Sequence, residues 1–106
     1  MSEGNGEPIF SELVKQDPDF ADLVVEFVDG LSERLAEMQQ TLDEGDYEAL
    51  RRMAHQLKGS AGGYGYPGLT DLASVLEDRA ARSAGQDCKA SVEAVTEMVG
   101  RVMVKP

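Results

Sequence analysis

His55 is the only histidine in a chain of 106 residues. Arg51, Arg52, Lys58 and Gly59 stand three or four positions away, the spacing that gathers side chains on one helix face. A neutral imidazole is a nucleophile through one ring nitrogen, and attack on phosphorus leaves a phosphoramidate that nearby cations stabilise. Gly59 would clear space one turn beyond the ring, so that a bulky partner could approach it. Gly62 lies two turns along the same side. An exposed helical histidine also fits a plain surface residue, and spacing alone leaves both readings open.

The elements that must position these residues read as helices. Tyr47, Leu50, Ala54, Leu57, Ala61 and Tyr64 recur every three or four residues and form one apolar stripe. At about 100° per residue, His55 falls about 140° from the centre of that stripe, so it should project outward. The stretch ends in the breaker Gly65-Tyr66-Pro67-Gly68. Before it, Ile9, Phe10, Leu13 and Val14 suggest a short helix. Asp17-Pro18 reads as an N-cap followed by proline at the first helical position. Phe20, Leu23, Val24, Phe27, Leu31, Leu35, Met38 and Leu42 then predict one helix of about six turns running through Gly30. It should stop at Gly45, with Asp46 capping the next. After the breaker, Leu69, Leu72, Ala73, Leu76 and Ala80 predict a helix closing at Gly85. Val92, Val95, Met98, Val99 and Val102 predict a last one capped near Asp87. The expected fold is all-α: an antiparallel up-down four-helix bundle with a short extra N-terminal helix over one end. Residues 1–7 are expected to be disordered, and residues 8–106 to form one domain.

Composition narrows the function classes. Twenty acidic and 10 basic side chains give a formal net charge of -10. Proteins that neutralise phosphate backbones or dock on anionic membranes need a basic footprint, so both classes are disfavoured. Against that background the cations of residues 51 to 82 (Arg51, Arg52, Lys58, Arg79, Arg82) suggest a local positive field around His55. The single cysteine, Cys88, cannot form an internal disulfide, and a reducing cytoplasmic setting fits. No apolar run approaches membrane-spanning length, and the polar, acidic start is unlike a signal peptide.

The run His55-Gln56-Leu57-Lys58-Gly59-Ser60-Ala61-Gly62-Gly63-Tyr64-Gly65 resembles the signature of histidine-containing phosphotransfer (HPt) domains. Their pattern is His-x-hydrophobic-Lys-Gly, followed by small residues and a further glycine at the helix end. The resemblance implies a four-helix bundle without catalytic activity of its own. Its histidine takes a phosphoryl group from a receiver-domain aspartate and gives it to another receiver. Carried onto this chain, His55 is the phosphoacceptor at Nε2, Lys58 stabilises the phosphoryl group, and Gly59 with Gly62 admits the receiver. Leu57 matches the family's buried hydrophobic position. Arg51 and Arg52 would form a basic docking face. Gln56 is assigned at most a hydrogen bond to the ring or phosphate.

Around Gly65-Tyr66 the segment is also similar to the phosphoacceptor domains of chemotaxis kinases, where a glutamate orients the histidine ring. Glu77 is the matching candidate here, reaching Nδ1–H from the next helix. No cofactor is implied, since Mg²⁺ would belong to the receiver partner. The expected partners are receiver domains, the chain itself being a monomer. Two alternatives stay open: labelling by a separate histidine kinase, as in chemotaxis-type systems, or an adaptor bundle that is never phosphorylated. Met38, Met53, Met98 and Met103 read as core filler, Tyr64 and Tyr66 as packing at the bundle end, and Cys88 as a packed thiol. Asp43, Glu44, Asp46 and Glu48 lack the spacing of a calcium loop.

Overall fold

The computed structural model describes residues 7–104, so the expectation for residues 1–6 lies outside the described residues. Ser11 starts the first helix, α1 (Glu12–Gln16): its hydroxyl accepts from the Val14 amide at 3.1 Å. That cap corrects the expectation that Ile9 and Phe10 belong to a helix. They form a two-residue strand, β1 (Ile9–Phe10), parallel to β2 (Val102–Met103). Val102 therefore leaves the last helix, which ends at Val99. Apolar residues at i and i+1 suit a helix edge or a strand equally, and pairing of the two chain ends chose the strand.

Asp17 caps a single 3-10 turn at Pro18–Phe20, its carboxylate accepting from the Asp19 amide. The expected six-turn helix is in fact two, α2 (Ala21–Asp29) and α3 (Leu31–Asp43), separated by Gly30. At φ -84° and ψ -7°, Gly30 donates to both Glu26 O and Phe27 O, and its own carbonyl accepts from Arg34. The ladder is thus bent without being emptied, at the residue least resistant to bending. Gly45 (φ +72°) ends α3, and Asp46 accepts from the Ala49 amide to cap α4 (Tyr47–Gly63).

Proline at its start opens α5 (Pro67–Ala81). That helix closes on Ser83 (φ +54°), not on Gly85. Gly85 is instead the first residue of α6 (Gly85–Val99), where a β-carbon would strike the Tyr47 hydroxyl. Nor does Asp87 cap α6: the cap position is Ala84, and Asp87 lies in the first turn, where it complements the helix dipole.

The helices α3, α4, α5 and α6 enclose the core, α4 and α5 sharing the most extensive contact. Leu50, Ala54, Leu57 and Ala61 of α4 face Leu69, Ala73, Leu76 and Ala80 of α5, and all are buried. Alternating leucine with alanine lets these two helices approach closely while the leucines fill the space between. At the end of α4, Phe27 of α2 stacks on Tyr64 and Tyr66, with ring centroids 4.8 and 6.1 Å apart. The Tyr66 hydroxyl donates to Met103 O at 2.7 Å, and burial pushes its pKa up to about 12.

Gly65 (φ +92°) closes this end. A β-carbon there would meet the Leu13 amide, Ser11 Oγ at 2.6 Å and the Glu12 amide at 2.8 Å. In its absence Glu12 N–H donates to Gly65 O, and Ser11 Oγ–H donates to Tyr64 O at 2.7 Å. The Ser11–Glu12 segment is thereby fastened to the end of the helix that carries His55.

Candidate functional site

Leu57 and Ala54 anchor α4 in the core, and the helical repeat turns His55 outward, where 62% of its side chain is exposed. Glu77 comes from α5, one position after the buried Leu76 and 20% exposed. Its carboxylate spans two partners: Oε2 lies 2.9 Å from His55 Nδ1, and Oε1 lies 2.6 Å from Lys58 Nζ. The hydrogen bond from Lys58 holds the Glu77 carboxyl below its ordinary range. Partial burial opposes that shift and the contact with His55 adds to it.

An ionised carboxylate can only accept, so Nδ1 must carry the proton and donate to Glu77. Nε2 then bears the free lone pair of the neutral ring. The three side chains thus form a site at which one ring nitrogen is engaged and the other is available to an incoming electrophile.

Gly59, one turn on, faces open space: nothing lies within 4 Å of where its β-carbon would be. Gly62 does not extend that clearing. A β-carbon there would sit 3.2 Å from Thr70 Oγ1, which donates to Lys58 O at 3.0 Å. The glycine makes room for the α4–α5 seam and so supports the backbone beneath Lys58. Helical phase gives Gly62's direction but not the height of the neighbouring helix, which is why Thr70 went unnoticed in the sequence. Gly63, by contrast, faces open space as Gly59 does.

The cations around His55 are largely compensated, which corrects the expectation of a positive field. Arg51 and Arg52 both bind Glu48, with N–O distances of 2.6 and 3.3 Å. Hydrogen bonding to Arg51 lowers the Glu48 pKa, and the Arg51 value is raised in return. Arg82 pairs with Asp78 at 3.2 Å. Arg79 turns away to α6, donating to Asp87 O and Ser91 Oγ. Glu48 was missed as part of this face, although its i, i+3 and i, i+4 spacing to the arginines is the ordinary helical pairing signal.

Gln56 is not bonded to the ring; it lines a groove shared with Glu33, Arg34 and Glu37 of α3. Met38 is buried and Met53 and Met98 pack against the core, but Met103 is 47% exposed in β2 and fills no core. Cys88 is buried, and that burial pushes its thiol pKa up, as in a packed side chain. Among the described residues no cluster of three or more His, Cys, Asp or Glu side chains could hold a metal ion. No helix among them is long and apolar enough to cross a membrane.

Comparison with curated proteins gave no match, and neither did comparison with solved structures. Comparison with protein families gave one, to the Hpt domain over residues 22–103. That span begins in α2, ends in β2, and contains His55, Lys58 and Glu77 together with the helices that hold them. With most of its length matched, the chain belongs to the Hpt domain family, the histidine phosphotransfer modules of phosphorelay signalling.

Proposed function

We propose that His55 is the phosphoacceptor of this Hpt domain, receiving a phosphoryl group from a receiver-domain aspartate and passing it to another receiver. The observation that carries this reading is the 2.9 Å contact of Glu77 with Nδ1 on an otherwise exposed ring, which leaves Nε2 free. In the transfer, the Nε2 lone pair forms a bond to phosphorus as the bond from phosphorus to the aspartyl oxygen breaks. The aspartate leaves as a carboxylate. The ring keeps its Nδ1 proton and becomes a phosphorylated imidazolium, whose new positive charge faces Glu77.

No proton has to leave during the step. Reverse transfer to a second receiver follows the same path backwards, with the imidazole as leaving group. Lys58, 2.6 Å from Glu77, can turn its ammonium to the phosphoryl oxygens once the ring is charged. Gly59 gives the receiver's active site room to reach the ring. The Mg²⁺ that such a transfer uses belongs to the receiver, and the chain works as a monomer in a reducing, cytoplasmic setting. Short connections between the four long helices favour an antiparallel up-down bundle.

Incubation with receivers phosphorylated by acetyl phosphate should place an alkali-stable, acid-labile phosphoryl group on the chain. His55→Gln should abolish it, as measured by radiolabel and intact mass. Label persisting in that variant would overturn the assignment, and unaltered receiver binding with no transfer would favour an adaptor. The Glu77 contact also favours a second reading, in which a separate histidine kinase labels His55 as in chemotaxis-type systems. Comparing labelling by ATP plus candidate kinases with labelling by phosphorylated receivers separates the two donors.

A further inference from the structure

We infer that the groove between α3 and α4 beside His55 selects the receiver partner by accepting one basic side chain, arginine or lysine, from its docking face. The inference rests on the phosphocarrier reading above and adds the chemistry by which a partner is chosen.

The floor of the groove is apolar, made by the buried Met38 and Leu57 with Met53 beside them. Its rim carries Glu33 and Glu37, exposed and one turn apart on α3, with Arg34 between them in sequence and Gln56 opposite on α4. A volume of about 360 Å³ is at the small end for binding pockets, which suits a single long side chain better than a helix. Neither carboxylate has a cation within ion-pair distance among the described residues. Arg34, which also lines the groove, holds its guanidinium over the Phe27 ring, 5.8 Å from the centroid, so two carboxylates face one cation there. Lysine and arginine match this shape: an aliphatic stem lies along the methionines while the charged head meets two carboxylates.

The groove also lies where a partner must pass. By helical phase, Gly59 and Gly63 stand about 40° and 80° round α4 from His55, on the flank that leads to Gln56. Both face open space. Lys58 and Glu77 occupy the opposite flank, and Arg52, about 60° round on the α3 side but one turn before His55, is held by Glu48, so the approach to Nε2 past Gly59 and Gly63 runs across the α3 side.

Charge argues against other occupants. A second copy would bring a net charge of -10 to an acidic rim, and the segment before β1 carries Glu3 and Glu7 but no lysine or arginine.

The test compares two sources of label on the full chain. Phosphoramidate labels an accessible histidine without docking, whereas receiver domains of the source organism, phosphorylated by acetyl phosphate, must dock. For the receiver that labels the unaltered chain fastest, Glu33→Lys/Glu37→Lys should lower the ratio of receiver-driven to phosphoramidate-driven labelling by about tenfold or more. Glu33→Gln/Glu37→Gln should lower it less, in the same direction. Glu44→Lys/Glu93→Lys makes the same change in net charge outside the groove and should leave the ratio unaltered. A ratio that stays within about twofold in the groove variants, or that falls equally in the outside pair, overturns the proposal. Failure of phosphoramidate to label His55 in the unaltered chain would instead overturn the phosphocarrier reading, and the proposal with it.

Discussion

Glu77 serves two partners with one carboxylate, Lys58 on one oxygen and the imidazole on the other. Glu77→Gln keeps the shape but not the charge, and its amide can also donate, so Nδ1 is no longer held protonated. Nitrogen-15 shifts of the ring should show a larger fraction of the tautomer with its proton on Nε2, a change a merely structural role would not cause. Labelling of His55 should slow by roughly three- to tenfold, a modest effect because the ring is open to solvent.

The pH dependence has a definite sign. Since the folded-state pKa of Glu77 is lowered, chiefly by Lys58, its ion pair with Lys58 stabilises the fold fully above the ordinary glutamate value of 4.5. That stabilisation is lost as pH falls through the lower, folded value. In a His55→Gln background, which leaves Lys58 as the charged partner of Glu77, the further loss of melting temperature on Glu77→Gln should therefore be flat from neutral pH down to about 4.5 and shrink below it. His55's outward direction was legible from the phase of one helix. The partners of Gln56, Gly62 and Arg79 were not, because each depends on which neighbouring helix stands opposite.

The helix carrying His55 is fastened at its far end by a contact of the kind that glycine alone permits. Gly65→Ala should cost about 2 kcal/mol or more, since it combines a left-handed backbone with collisions against the Ser11–Leu13 segment. Hydrogen exchange should locate the damage: the Glu12 amide, which donates to Gly65 O, should lose protection before the amides of α5. Equal loss of protection throughout would mean that the segment is not a separable unit. The glycine-rich run was visible in the sequence, but its members do different things. Gly59 and Gly63 leave space, Gly62 accommodates a threonine, and Gly65 admits backbone from elsewhere in the chain. Gly30 shows the same limit, since periodicity on either side of it is helical and gives no sign of a bend.

Across the molecule, stability depends on one core held between α3, α4, α5 and α6. Leu76 is fully buried beside Glu77, facing the α4 stripe. Leu76→Ala should cost about 3 kcal/mol or more. For a chain of this size that lowers the melting temperature by roughly 12–24 °C, as calorimetry would show. A loss under about 1 kcal/mol would mean that the surrounding alanines close over the cavity. The net charge of -10 takes on a local meaning here. Most cations near His55 are paired, while Glu33 and Glu37 have no cation within ion-pair distance among the described residues, so the accessible approach is more acidic than the cation count implied.

Local chemistry was readable from residue order: the helical stripes, the caps at Asp17 and Asp46, the stop at Gly45, and a histidine facing outward with lysine and glycine close by. These follow from periods and short-range hydrogen bonds, which neighbouring residues specify among themselves. The strand pairing of Ile9–Phe10 with Val102–Met103, the turn of Arg79 to α6, and the sharing of Glu77 between Lys58 and His55 follow from contacts across the chain. Helical phase specifies an angle about one axis. The distance between axes, and hence which side chain meets which, is settled when alanines and leucines on facing helices pack.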